Sequence, residues 1–399
     1  MMRLLFLGFS FPPGWQALMP GTNPAGHLFE TQMLAALRVH CDIRSTTLLP
    51  GPSPRGLPSA ADPRTGVAHE LRLSEQRPRL WHRCLSIFHL GRQYRAWQVG
   101  GWRPDVVMTY NLSPVYNAFI RGLGRQASRP RRVLLLLDST QLGQRLSPLK
   151  RFRYRFKPLV YFEDDMLAEF DAAIGASPAT ERFFQPLRTP FLWMPGGCSP
   201  ERAPGCAEDS GTVSGGAIRF GYFGALAAHA GVRELVSAFR ATEGAMELHV
   251  CGYGRLAGWV AEQAQQDSRL RFHGLLPTPE ACLEKALDWD VLVNPRPAGH
   301  GNENNFPSKL FDYALCGRAI LTTRLSGSDA VLGPEAFYFD PARTGDELPG
   351  RLKELAVLSR AELRRRGAAL RERVTREYSW ARQADRMAGF LKVVTHEKG

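Results

Sequence analysis

The chain has 399 residues, 44% of them hydrophobic and 22% charged, and a formal net charge of +13. That composition excludes wholesale disorder and suits two domains of ordinary size, each burying its own core. The longest purely aliphatic run, Val133–Leu137, is far too short to cross a bilayer, and seven scattered cysteines without a CxxC pair argue against a zinc site or a disulfide framework.

In chain order, short apolar runs alternate with helical patterns. The opening "MMRLLFLGF" reads as a first strand rather than a signal peptide, because no long apolar region and no small-residue cleavage site follow it. Strand candidates in the first half continue at 42–49, 105–111, 132–138 and 171–177, with a helical pattern at 27–40. Residues 50–80, rich in Pro, Arg and Ser, read as a long mobile loop, and the Pro- and Gly-rich stretch 196–216 reads as a linker. A second series of strands follows at 218–224, 247–254, 269–275, 290–295, 318–323 and 336–340, then a charged helix at 344–374 and a closing segment at 376–394. Apolar strands alternating with helices imply parallel sheets covered on both faces. The expected fold class is α/β: two Rossmann-like, doubly wound domains facing across a cleft. The first spans 1–195, the linker 196–216 and the second 217–375, with a C-terminal helix 376–399 packing back toward the first domain.

Charge is unevenly placed. Residues 1–200 carry 25 Lys and Arg against 13 Asp and Glu, whereas the remainder carries 26 against 25. The asymmetry points to an anionic partner for the first half, a membrane surface or a phosphorylated lipid; the competing explanation is Arg-rich codon usage on a solvated face. The densest cluster, Lys150, Arg151, Arg153, Arg155 and Lys157, interleaves with aromatics in "KRFRYRFK". It suits an anionic bilayer or a lipid-diphosphate acceptor, or it is a solvated helix face. Nucleic acid ranks low as a partner, because no nucleic-acid-binding module surrounds the cluster.

The stretch "NENNFPSKLFDYALCG", residues 302–317, carries the chemistry. Pro307 suits a first helical position, and the N–H groups of Ser308, Lys309 and Leu310 would then point out of the helix start. With the positive end of the helix dipole, the Lys309 charge and the Ser308 hydroxyl, they make an anion site. Asp312 follows Ser308 by four residues, roughly 6 Å along the axis, where a carboxylate can accept bonds from a ribose whose phosphates sit at the tip. The same pattern also serves a capped core helix. Glycines in "GYFG" (221–224) and "CGYG" (251–254) end strands where a backbone must come close to something, and "HGLLP" (273–277) and "VNPRP" (293–297) end strands on the same expected edge.

"NNFPSKLFDYALCGRAILTT", with "VLVNPRP" before it and "YSWARQADRM" near the end, resembles the signature of family 4 glycosyltransferases of GT-B fold, especially those that build bacterial surface polysaccharides. The resemblance covers the second half well. The first half matches in layout, through "NPAGHLFETQMLAAL" (23–37) and "YFEDDMLAEFDAAIGAS" (161–177). Donor binding is expected at Gly224, Arg296, Asn304, Asn305, Phe306 and Pro307, and the resemblance implies Ser308, Lys309 and Leu310 on the diphosphate and Asp312 on the ribose. The turns at Gly252–Gly254 and Leu275–Leu276 would hold the base, and Gly26 would face the diphosphate-sugar from the first domain. The family's usual first acid is Asn304 here, and its usual Arg and Lys after the first strand of the second domain are Ala225 and Ala230. Arg296 either supplies the missing charge or braces a loop.

For catalysis, Asp138 ends the strongest apolar strand of the first half, where an acid either orients an acceptor hydroxyl or caps the next loop. No metal-ligand spacing is present, and neither a metal nor a cofactor is expected. The expected function is transfer of a sugar from a nucleotide-diphosphate-sugar to a saccharide or lipid-linked saccharide acceptor, with retention, by a cytoplasmic enzyme peripheral on the inner membrane face. The alternatives are a GT-B nucleotide-sugar epimerase and a non-catalytic GT-B partner subunit.

Overall fold

The computed structural model describes residues 1–9, 24–49, 68–74, 79–124, 129–138, 142, 163–205 and 216–396. The chain divides into two compact units, Met1–Gly196 with Trp380–Gly399, and Gly197–Ser379.

The first unit is built on a seven-stranded parallel sheet: β1 (Met2–Gly8), β2 (Cys41–Leu49), β3 (Ala68–Ser74), β4 (Val106–Tyr110), β5 (Arg131–Leu136), β6 (Ala172–Gly175) and β7 (Phe191–Trp193), in the order β3-β2-β1-β4-β5-β6-β7. Its central strands β1, β4, β5 and β6 carry largely continuous apolar runs because both faces are covered. Alternate residues point to opposite sides. Leu5 and Leu7 join Tyr94 and Trp97 of the helix Arg79–Val99 and Phe119 and Ile120 of the helix Pro114–Gly124. Leu4 and Phe6 join Met33, Leu34 and Leu37 of the helix Pro24–Leu37 and Trp380, Met387 and Leu391 of the final helix Trp380–His396. The last helix is therefore a core element of the first unit. The Trp380 indole donates to Gln32 Oε1 at 2.7 Å, and Arg386 donates to the Trp193 carbonyl at 2.9 Å.

The helix begins at Trp380 rather than at 376, because Ser379 is extended (φ −60°, ψ 148°) and bridges to Cys198. The reading of 50–80 as one mobile loop is corrected over 68–74, which form the edge strand β3 parallel to β2. "AHELRLS" has no β-branched residue and only a short polar–apolar alternation, so its own strand signal is weak. Lys150, Arg151, Arg153, Arg155 and Lys157 lie outside the described residues.

The second unit holds a six-stranded parallel sheet: β8 (Ile218–Ala225), β9 (Met246–Tyr253), β10 (Leu270–Gly274), β11 (Val291–Asn294), β12 (Ala319–Thr323) and β13 (Phe337–Phe339), in the order β10-β9-β8-β11-β12-β13. Both units thus follow the doubly wound order in which the strand sequence reverses direction once. In the second unit the reversal falls between β8 and β11, and in such sheets ligands bind at that point, beyond the carboxyl ends of the strands. The core here is Phe220, Tyr222, Leu248, Val250, Val291, Val293 and Leu321 beneath Leu235, Phe239, Leu348 and Leu352. Among the described residues no helix is long and apolar enough to cross a membrane.

Candidate functional site

The candidate site forms around the ends of β8 and β11 and the helix Lys309–Leu315. That helix opens with one tight turn. Ser308 already has helical angles (φ −53°, ψ −25°), and the Leu310 N–H donates to the Pro307 carbonyl at 2.9 Å. This corrects the expectation of three outward N–H groups: Leu310 spends its own inside the turn, as the i to i+3 pattern of a 3₁₀ start requires. The helix begins two residues after Pro307, and Ser308 is exposed at its tip. Phe306, Pro307 and Leu310 are buried, with the Phe306 ring tilted against Phe311 (ring centroids 5.3 Å apart), so their side chains anchor the turn.

Lys309 reaches back across the end of β8. Its Nζ lies 3.1 Å from the Tyr222 hydroxyl and 4.3 Å from the Tyr222 ring centroid. The Tyr222 hydroxyl donates in turn to the Ala225 carbonyl at 2.6 Å. Burial, with a smaller push from Arg296, pulls Lys309 down to about 7. No acid among the described residues forms an ion pair with it. Arg296, just beyond β11, donates to the Asn305 carbonyl at 3.0 Å, so it braces the loop before the helix while adding positive charge to the site. Arg296 thus performs the bracing role and is also electrostatically coupled to Lys309.

Gly224 faces this lysine: a Cβ there would sit 3.2 Å from Nζ, and its φ is +144°. At Gly252 and Gly254 the neighbour is protein. Added Cβ atoms would lie 1.9 Å from the Gly224 carbonyl oxygen and 2.4 Å from that of Leu226, so these two glycines let the ends of β8 and β9 approach. Leu275 is exposed and Leu276 partly so, just past β10, and Tyr253 is exposed at the end of the adjacent β9. Between those strands Glu247 Oε2 lies 3.2 Å from His249 Nε2, and His249 Nδ1 lies 3.0 Å from His273 Nε2, a polar chain leading to the exit of β10.

Asp312 is partly buried and is met by Arg202 Nη1 at 3.1 Å. Burial raises its carboxyl above the usual value against the opposing pull of Arg202. Arg202 comes from the stretch read as linker, where a short 3₁₀ turn, Pro200–Arg202, sets it beside Asp312 and Glu280. Sequence reasoning missed it, since an arginine in a Pro- and Gly-rich segment carries no periodic signal. Asn304 is buried, and its neighbour Asn302 donates to the carbonyls of His229 and Pro297, both at 2.9 Å, tying the loops after β8 and β11 together.

In the first unit, Gly26 lies in the first turn of Pro24–Leu37. Asp138 is exposed past β5, and its N–H and that of Leu137 both donate to Asn111 Oδ1, at 3.0 and 2.8 Å. The buried Glu30 receives the Phe9 N–H at the end of β1. Glu30 and Asp138 both bear on the partly buried Tyr110, whose hydroxyl is held above its usual range chiefly by burial.

Residues 232–389, from the first helix after β8 into the last helix, match the family described as glycosyl transferase-like. No curated protein matches in sequence. Solved structures match along the whole length. Sucrose-phosphate synthase from Thermosynechococcus elongatus aligns over 99% of both chains at 16% identity and a TM-score of 0.69. The lipopolysaccharide outer core galactosyltransferase WaaB aligns over 98% of this chain and all of its own, at 12% identity and 0.62. Anabaena HepE, solved in complex with UDP and glucose, aligns over 98% and 100%, at 13% and 0.64. The structural likeness gives the fold, that of GT-B proteins with two Rossmann-like units, and over residues 232–389 the chain is similar to glycosyltransferases.

Proposed function

We propose that the chain moves a sugar from a nucleoside-diphosphate donor, held by its second unit, to a lipid-linked saccharide, with retention, in the building of a surface polysaccharide or glycolipid. The observation that carries the donor side is Lys309: a partly buried lysine, set on a tyrosine ring, with positive Arg296 nearby and no acid among the described residues paired to it. A diphosphate is the ligand that such a position stabilises, and it would restore the charged form of the lysine. As the bond from sugar to phosphate breaks, negative charge grows on the departing phosphate, and a cation already in place lowers that barrier. Asp312 serves the ribose through the lone pairs that Arg202 leaves open, and exposed Tyr253 and Leu275 offer apolar surface for the base. Asp138 is the candidate for orienting the acceptor hydroxyl. HepE binds UDP and glucose and WaaB is a lipopolysaccharide galactosyltransferase by their descriptions, which supports a nucleotide-sugar donor and a glycolipid acceptor here.

The test is a thermal-shift panel of nucleoside diphosphates and sugar nucleotides, followed by assay of the stabilising donor with lipid-linked saccharides. Acceptor-dependent release of the nucleoside diphosphate, with the anomeric configuration of the product read by NMR, is the expected result. No stabilisation by any sugar nucleotide would overturn the donor reading. Interconversion of the donor sugar without an acceptor would replace transfer by epimerisation.

A further inference from the structure

The helix Arg79–Val99 covers one face of the first sheet, and its inner side, Leu90, Tyr94 and Trp97, is core. Its outer side is unusual. Trp81, Cys84, Phe88, Arg92, Arg95 and Val99 follow one another at steps of three or four residues, and all six are exposed. Such steps put them on one line along the helix, about 27 Å long. Trp81 is 64% exposed, Phe88 58% and Val99 90%. Two large aromatics left in water on one stripe oppose the hydrophobic effect by several kcal/mol unless something covers them.

Charge says what the cover is. The 21 residues of this helix include four Arg and two His and no Asp or Glu. The half of the chain that contains it carries 25 basic residues against 13 acidic. An apolar protein partner would gain nothing from so one-sided a rim, whereas a bilayer bearing anionic headgroups is complementary to both parts of the stripe. Trp and Phe sit at the boundary between headgroup and acyl chain, and Arg pairs with phosphate above it. The helix is far too polar to span, so it would lie in the surface plane.

We propose that the Trp81–Val99 stripe docks the first unit on an anionic membrane surface. The inference deepens the reading of a lipid-linked acceptor, by naming the element that brings the chain to it. It does not depend on the donor chemistry.

The experiment is co-sedimentation of the full chain with vesicles of phosphatidylcholine alone and with about a third phosphatidylglycerol, neither containing a glycolipid. The parent should bind the anionic vesicles, and added salt should remove part of that binding. Trp81→Ser with Phe88→Ser should weaken partitioning by about tenfold or more and abolish the salt-resistant part. Arg92→Ser with Arg95→Ser should weaken it similarly and abolish the dependence on lipid charge. All four residues are exposed, so thermal melts and sugar-nucleotide affinity should match the parent. A parent that ignores anionic vesicles overturns the proposal, and so do double variants that bind as well as the parent. Concentration-dependent dimerisation lost in the aromatic variant, without vesicle binding, would overturn it in favour of a second copy. Vesicle binding by a chain that binds no sugar nucleotide would leave the docking stripe standing and remove the donor reading instead.

Discussion

A lysine pressed on a tyrosine ring loses solvation that a phosphate can replace. Lys309→Ala should therefore weaken sugar-nucleotide binding by about 1.5–3 kcal/mol, the scale of a charge-assisted hydrogen bond, while the fold persists. Calorimetry showing unchanged affinity would remove Lys309 from the donor site. Its titration gives a second check. In the free folded chain Lys309 gives up its proton at about 7, against 10.5 for an ordinary lysine. Between those values the unfolded chain holds a proton that the fold has released, so this group's contribution to stability rises with pH across the window. A bound diphosphate favours the protonated form, so sugar-nucleotide affinity should be highest below about pH 7 and fall above it, by at most about tenfold per unit. Lys309→Arg should flatten the profile; a parent already flat from pH 6 to 9 would contradict the coupling. Asp312→Asn keeps shape and loses charge. It should weaken nucleotides and leave inorganic diphosphate, which has no ribose, nearly unaffected; equal losses for both ligands would take Asp312 off the ribose.

The ends of β8 and β9 show why a motif read from residues alone can be right about need and wrong about cause. Glycines after a strand signal a close approach. At Gly252 and Gly254 the approaching group is the backbone of the neighbouring strand end, whereas at Gly224 it is the Lys309 side chain. Gly252→Ala should accordingly cost about 2–4 kcal/mol in denaturant unfolding of the second unit, since it combines a positive φ with a backbone clash. A variant as stable as the parent would show that β8 and β9 separate freely. The helix start is a similar case: Pro307, Ser308 and Lys309 were legible as the opening of a helix, but the loss of the Leu310 N–H to the first turn depends on its tightness, which no residue in the pattern announces. Nor could spacing reveal Arg202, which meets Asp312 across 110 positions of chain.

Over the whole molecule, the last helix belongs to the unit that begins the chain. Trp380, Met387, Leu391 and Val394 complete the core face formed by Leu4, Phe6, Met33 and Leu34. Leu391→Ala should lower the stability of the first unit by about 2–5 kcal/mol, as a buried large-to-small change does, while leaving sugar-nucleotide affinity unchanged. Loss of donor binding in that variant, measured below its melting transition, would mean that the two units do not act as separate stability domains.

The alternation of aliphatic strands and helices determined two parallel sheets by itself, because a strand apolar on both faces is stable only when covered on both. The run from Asn304 to Asp312 determined where a helix would start, because Pro suits a first helical position and an apolar helical pattern follows it. Tertiary structure decided the rest. The edge strand 68–74 holds its place by pairing with β2 and not by its own propensity. Lys309 owes its low pKa to burial and, in smaller part, to Arg296, neither of which its own spacing announces. The Trp81–Val99 stripe became visible only once its opposite face was seen to be core. A periodic pattern fixes which residues share a face, but which face meets water is set by the elements packed against the other side.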